Sequence, residues 1–233
     1  MPTFSAPKLR SFVTKLLVNA GANANEAAIV ARHSIAANLA GHDSHGIIQI
    51  PHYINQIKQG QIIPGVSVEI IQEASTTTVI DGHWGFGYVV SERAMQITID
   101  KAQSQNVAAT TVFRQSHVGR LTDYPLMAAK AGMIGLMTAD SGHSPKTVAP
   151  VGGREPRLGT NPICIAAPSN LDGPIYIDAA TSAVAAGKVN LAISRDESIP
   201  EGWIINLVKL KFPRSFIFQK IIQRTFLVWV HVG

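Results

Sequence analysis

Two histidines, an aspartate and a serine stand together in a glycine-flanked hexapeptide, Gly41-His42-Asp43-Ser44-His45-Gly46. Histidine titrates near neutral pH, so it can hand a proton to a carbonyl or take one from a hydroxyl. Glycine on both sides lets the backbone bend and a ligand come close. A structural reading of the same residues is a capping turn, with Asp43 or Ser44 as N-cap of the next helix. The two are compatible, because a cap can also aim His45.

Three further segments carry polar chemistry. Ser116-His117-Val118-Gly119-Arg120 follows a predicted strand, where α/β ligand sites form; its plain reading is a polar turn. Ser141-Gly142-His143 runs on to Val148–Pro162, a stretch rich in Gly and Pro. Its Arg154 and Arg157 suit an anionic group, or are paired by Glu155 in a rigid loop. Asp178-Ala179-Ala180-Thr181-Ser182 reads as a strand end entering a helix. Free N–H groups there favour anions, and an ordinary Ser or Thr cap explains the same residues.

Other chemistries are disfavoured. Gly82-His83-Trp84-Gly85-Phe86-Gly87 lacks the G-x-G-x-x-G order of a Rossmann site, and no Walker loop is present. The histidines have no H-E-x-x-H spacing, so no metal is expected. There is no G-x-S-x-G nucleophile elbow.

The elements that must position these residues follow from periodicity. Ser5 is the expected N-cap of a first helix, with Leu9, Phe12, Val13, Leu16 and Leu17 as its apolar stripe and Gly21 as its stop. Asn23 with Glu26 predicts a capping box for a second helix running to Leu39. A third covers Ile47–Lys58. Strands are predicted at Val66–Ile71, Thr76–Ile80, Val107–Phe113, Met133–Thr138, Ile163–Ala167 and Ile175–Ile177, from their β-branched and apolar content. Helices are predicted at Gly85–Gln103, Leu121–Ala131 and Ser182–Ala192. The alternation implies an α/β (α+β) core.

The 233 residues, 46% hydrophobic and 15% charged, suffice for one substantial core or two modest ones. The net charge of +5 is not spread over the chain: all 15 acids lie at or before Glu201, and 15 of the 20 Lys and Arg precede Leu207. A neutral body argues against an electrostatic nucleic-acid footprint. The lone Cys164 forms no internal disulfide, and the first ten residues lack a signal-peptide core, so a cytoplasmic location is expected. From Leu207 to Gly233 there is no acid and no glycine before the last residue. Charge interrupts this tail too often for a comfortable membrane span, and it reads as a frame-shifted or accidental terminus.

Taken in order, G-H-D-S-H-G-I-I-Q-I-P-H-Y, S-H-V-G-R, V-A-P-V-G-G-R-E-P-R-L-G-T-N-P, D-A-A-T-S-A-V-A-A-G-K-V and P-E-G-W resemble the type-2 malate/L-lactate dehydrogenase family. The resemblance covers about residues 5–205, and the G-G-R-E-P-R-L-G-T-N-P string is its most specific part. It implies an oxidoreductase using NAD or NADP on a 2-hydroxy or 2-oxo acid, usually as a homodimer. It also implies a helical subdomain (1–65), a non-Rossmann mixed-sheet cofactor-binding domain (66–206) and an atypical tail (207–233), with the C-terminal part of the family fold missing. His45 would move the proton, with His117 as a second catalytic histidine and Asp178 orienting His45. Ser44 and Gln49 would meet substrate. His117, Ser141, Thr160, Asp178, Ala180, Thr181 and Ser182 would meet cofactor. Many relatives place an Arg at the position of Gln49, where it grips a carboxylate with two hydrogen bonds; Gln49 is uncharged. The alternative is a catalytically inactive truncated fragment.

Overall fold

A computed structural model describes residues 3–140, 146–204 and 225–231. Its first helix, α1 (Ala6–Asn19), turns Val13 and Leu17 into the core, while Leu9 and Leu16 sit at the margin. Phe12 departs from the expected stripe and is 57% exposed. It lies ~100° around the helix from Val13, on the far edge of the face that α2 covers. Ser5 stands at the N-cap position without a side-chain cap bond.

The capping box of α2 (Ala24–Leu39) is formed as expected. The Asn23 side chain accepts from Glu26 N at 2.9 Å, and Glu26 returns a carboxylate oxygen to Asn23 N at 3.3 Å. Glu26 is buried, and both its oxygens also accept from Gly65 N. One side chain thus caps the helix and fixes the chain where it leaves the helical region. Gly41, at φ 76°, ends the α2 segment. Two 3-10 turns, Asp43–His45 and Ile47–Gln49, then lead into α3 (Ile50–Lys58). None of these three elements has a side-chain N-cap, so Asp43 and Ser44 do not cap.

The rest of the chain is a mixed sheet with helices on one face. The elements are β1 (Glu69–Glu73), β2 (Thr77–Gly85), α4 (Gly87–Gln105), β3 (Val107–Gln115), α5 (Pro125–Lys130), β4 (Met133–Thr138), β5 (Ile163–Ala167), β6 (Ile175–Ala179), α6 (Ala186–Arg195) and β7 (Thr225–His231). The strand order is β1-β2-β3-β7-β4-β5-β6. Among the described strands only β2 and β3 run parallel, which separates this sheet from the doubly wound parallel type.

Composition sets Leu207–Gly233 apart, yet backbone pairing puts Thr225–His231 in mid-sheet. β7 pairs antiparallel with β3 on one side and β4 on the other, so it joins β1-β2-β3 to β4-β5-β6. The segment Thr-Phe-Leu-Val-Trp-Val-His is β-branched and aromatic, which is strand chemistry.

Two apolar clusters hold the elements. In one, Ile80, Val112, Met133 and Met137 of the sheet meet Val90, Ala94 and Met95 of α4 and Ala128 of α5. In the other, Val13, Leu17, Val30, Ile50 and Tyr53 of the first three helices meet Phe86 and Tyr88. α4 therefore belongs to both, and it ties the helices to the sheet. No helix among the described residues is long and apolar enough to cross a membrane.

Candidate active site

The His45 turn is built around Asn38, near the end of α2. The Asn38 amide donates to Asp43 Oδ1 at 2.7 Å, and its carbonyl accepts from Ile47 N at 2.9 Å. A Cβ on Gly46 would sit 2.2 Å from the Asn38 amide oxygen, so a side chain there would displace the Asn38 amide that braces the turn. Gln49 closes the turn by donating from Nε2 to Ser44 O at 2.8 Å. Ser44 is buried, with Oγ 3.0 Å from His45 Nδ1. The turn thus aims His45 through Ser44, while Asp43 is engaged by Asn38.

His117 arrives from the loop after β3. That loop crosses the start of α4, where a Cβ on Gly87 would lie 2.3 Å from Ser116 O and 2.4 Å from His117 O. Gly87 N donates to Ser116 Oγ at 2.8 Å. The His117 and His45 rings stack with centroids 5.6 Å apart. Behind them lies a tyrosine pair: Tyr53 OH is 2.7 Å from His117 Nδ1 and 3.1 Å from Tyr88 OH. Tyr88 OH donates to His45 O at 3.4 Å. Burial pushes the Tyr53 hydroxyl well above its ordinary pKa, so it stays neutral. Burial, then the charges of His45 and His52, pull His117 down to about 3. His45 is also held below its ordinary value, first by burial and next by His42; Lys188 and Arg120 add to this and Asp178 opposes it.

A cavity of about 290 Å³ opens on this group. Ser44, His45, Arg120, Asp178 and Lys188 are on its wall, together with Thr160, Ala180 and Ser182. His117 and Gln49 are not on that wall. His117 lies behind His45, and Gln49 is spent on the Ser44 carbonyl. Thr181 is exposed and turned away, with its hydroxyl donating to Asn161 O at 2.8 Å. Ser141 lies outside the described residues.

Asp178 differs from expectation. Its Oδ2 accepts from Thr122 N at 2.9 Å and from Thr122 Oγ1 at 2.6 Å. Its charge reaches His45 through space, without a hydrogen bond between them among the described residues. The helix expected from Ser182 starts at Ala186, with Ala185 as an uncapped N-cap. The Ser182 hydroxyl donates to Val184 O at 2.9 Å, which diverts it from capping. Of the two arginines in the Gly- and Pro-rich loop, Arg157 is paired with Glu155.

Sequence reasoning missed a buried ionic chain beneath the site. His33 of α2 is 5% exposed, between Asp123 (Nδ1 to Oδ2, 2.8 Å) and Glu92 (Nε2 to Oε2, 2.9 Å). Arg32 pairs with Glu92, and Arg120 with Asp123. The chain therefore runs from α2 through α4 to the cavity wall. Burial lowers the His33 pKa, but the two carboxylates outweigh it and the net shift is upward. Asn38, Tyr53, Tyr88 and Thr122 were missed as well. Outside the cavity, Glu69, Asp81 and His83 cluster closely enough to share a cation, but the Arg114 guanidinium already covers Asp81.

A family described as malate/L-lactate dehydrogenase matches residues 4–207. Hydroxycarboxylate dehydrogenase B of Escherichia coli O157:H7 is 38% identical over 204 residues, covering 88% of this chain and 56% of the relative. Malate dehydrogenase of Pyrococcus abyssi is 40% identical over 199 residues, 85% of this chain and 54% of that protein. The crystal structure of malate dehydrogenase from Entamoeba histolytica superposes with a TM-score of 0.83 at 34% identity, covering 87% of this chain and 55% of that one. The chain thus spans about half the length of the relatives it matches.

Proposed function

This chain belongs to the malate/L-lactate dehydrogenase family, and we propose that it interconverts a 2-hydroxy acid and the matching 2-oxo acid with NAD or NADP. The observation that carries the proposal is His45 on the cavity wall, its Nδ1 fixed by Ser44 and two cations lining the same wall.

With Nδ1–H donating to the Ser44 hydroxyl oxygen, the neutral His45 ring keeps its lone pair on Nε2, the nitrogen that would take the substrate proton. A His45 pKa below the ordinary value leaves the ring neutral at pH 7, poised as a base toward a substrate hydroxyl. In the reverse direction the protonated ring gives that proton to the carbonyl oxygen. His117, neutral through the same range, supports the His45 ring by stacking and takes no proton. Asp178, anchored on Thr122, favours the charged state of His45 as it forms.

The residues present fit a nicotinamide group. Asn161, at φ 40° between the cavity residues Thr160 and Pro162, has a buried side-chain oxygen without a partner among the described residues. Such an oxygen can accept from a carboxamide. A nicotinamide bound there would supply or accept the hydride. Thr160, Asp178, Ala180 and Ser182 would hold it. NAD(P)H oxidation with a panel of 2-oxo acids tests the proposal. Turnover that is lost with His45→Ala supports it; no turnover by well-folded protein overturns it.

A further inference from the structure

A 2-oxo acid presents its carboxylate next to the reacting carbonyl, so a cation must sit within a few ångströms of the group that moves the proton. Gln49 does not provide one: it is uncharged, off the cavity wall, and bonded to Ser44 O at 2.8 Å. Arg120 and Lys188 are the arginine and lysine of the wall. Arg120 is committed. Its Nε and Nη2 both donate to Asp123 Oδ1, and its side chain is 11% exposed. Turning Arg120 toward a ligand would strip Asp123, which also holds His33. Leaving a buried carboxylate without that partner is costly.

Lys188 is differently placed. It is an exposed residue in the first turn of α6 and has no acidic partner among the described residues. α6 is docked on the His45 turn. A Cβ on Gly187 would lie 3.0 Å from Ser44 Cβ, so the residue before Lys188 must be small for the helix to approach. Arg195 at the other end of α6 pairs with Asp43 at 3.6 Å, which secures the helix along the same turn. The Lys188 charge reaches His45.

We propose that Lys188 binds the substrate carboxylate in this chain, so that recognition of the acid comes from α6 rather than from the position of Gln49. The proposal rests on the dehydrogenase reading. An ammonium on a flexible stem is a point charge with three donors, and it lacks the planar fork of an arginine. The site should therefore favour a carboxylate strongly while discriminating weakly among acids of different shape.

Steady-state kinetics with pyruvate and with its uncharged ethyl ester test this, using Lys188→Met and Lys188→Arg. Lys188→Met is expected to raise the KM for pyruvate roughly 10- to 100-fold, the loss of one charge-assisted hydrogen bond. The KM for the ester and for NAD(P)H should stay within about twofold, and Lys188→Arg should recover most of the loss. An unchanged pyruvate KM overturns the proposal, as does a rise confined to NAD(P)H, which would assign Lys188 to a cofactor phosphate. Calorimetric titration with oxamate keeps the two readings apart. If the chain turns over no 2-oxo acid, the dehydrogenase reading fails. Oxamate binding that is lost in Lys188→Met still supports the lysine. Equal binding by both, or none by the unaltered chain, overturns it.

Discussion

In the proposed reaction His45 moves the proton, and its environment sets a pH signature. Burial and His42 depress its pKa, so its neutral form dominates at pH 7. In the proposed reaction, oxidation of the hydroxy acid needs that neutral form, and its rate should rise with pH with a midpoint below the ordinary imidazole value of 6.5. Reduction needs the protonated form and should decline over the same range. Initial rates in both directions between pH 4.5 and 8 check this; a midpoint above 6.5 would contradict it. His45→Gln should lose on the order of 10²- to 10⁴-fold in kcat, the usual share of a positioned acid–base group. Tyr53→Phe removes the hydroxyl shared by His117 and Tyr88 and should cost about 1–3 kcal/mol in urea unfolding.

Not all of this could be read along the chain. His45 and Ser44 are legible because they are neighbours in one turn. The capping box at Asn23 and Glu26 is legible for the same reason, since its partners lie three residues apart. His33 is not. It sits in a helix rich in alanine, and its carboxylate partners are 59 and 90 residues away. Asp178 was legible as a site residue, but its bond to Thr122 spans 56 residues and appears only once β6 lies beside the turn before α5.

At the scale of elements, two joints hold the site. One is the ionic chain that links α2, α4 and the turn before α5 through His33. Glu92 and Asp123 face the ring directly, with Arg32, Arg120, Tyr88 and Tyr124 around them. The raised His33 pKa gives the sign: its contribution to stability is present in full below the unfolded value of about 6.5 and is lost as pH rises through the folded value. His33→Gln should therefore flatten the decline of stability above that range, as read from urea midpoints between pH 5 and 9. An unaltered profile would remove His33 from the account.

The other joint is β7, and it was read as a foreign tail because composition and charge change abruptly at Leu207. Its strand character is local to seven residues, Thr225–His231, within a longer basic segment. The partners it pairs with, β3 and β4, do not pair with each other. Val228→Pro removes a backbone donor from a strand paired on both sides. It should cost about 3 kcal/mol or more and broaden the unfolding transition, because the two halves of the sheet lose their common neighbour. A midpoint equal to that of the unaltered chain would mean that β7 contributes no stability.

For the whole molecule, helices and sheet share α4, so that the first helices, the loop after β3 and the strands β5 and β6 converge on one cavity. The family membership covers residues 4–207, while the chain spans about half the length of its relatives. The central claim is that this convergence is enough to make a 2-hydroxyacid dehydrogenase site. The measurement that tests it most directly is NAD(P)H oxidation by the purified chain with pyruvate, oxaloacetate and related 2-oxo acids, beside His45→Gln with matched circular dichroism. The account predicts turnover by the unaltered chain and its loss, without loss of fold, in the variant. A folded chain without turnover, or a variant that keeps the rate, would contradict it.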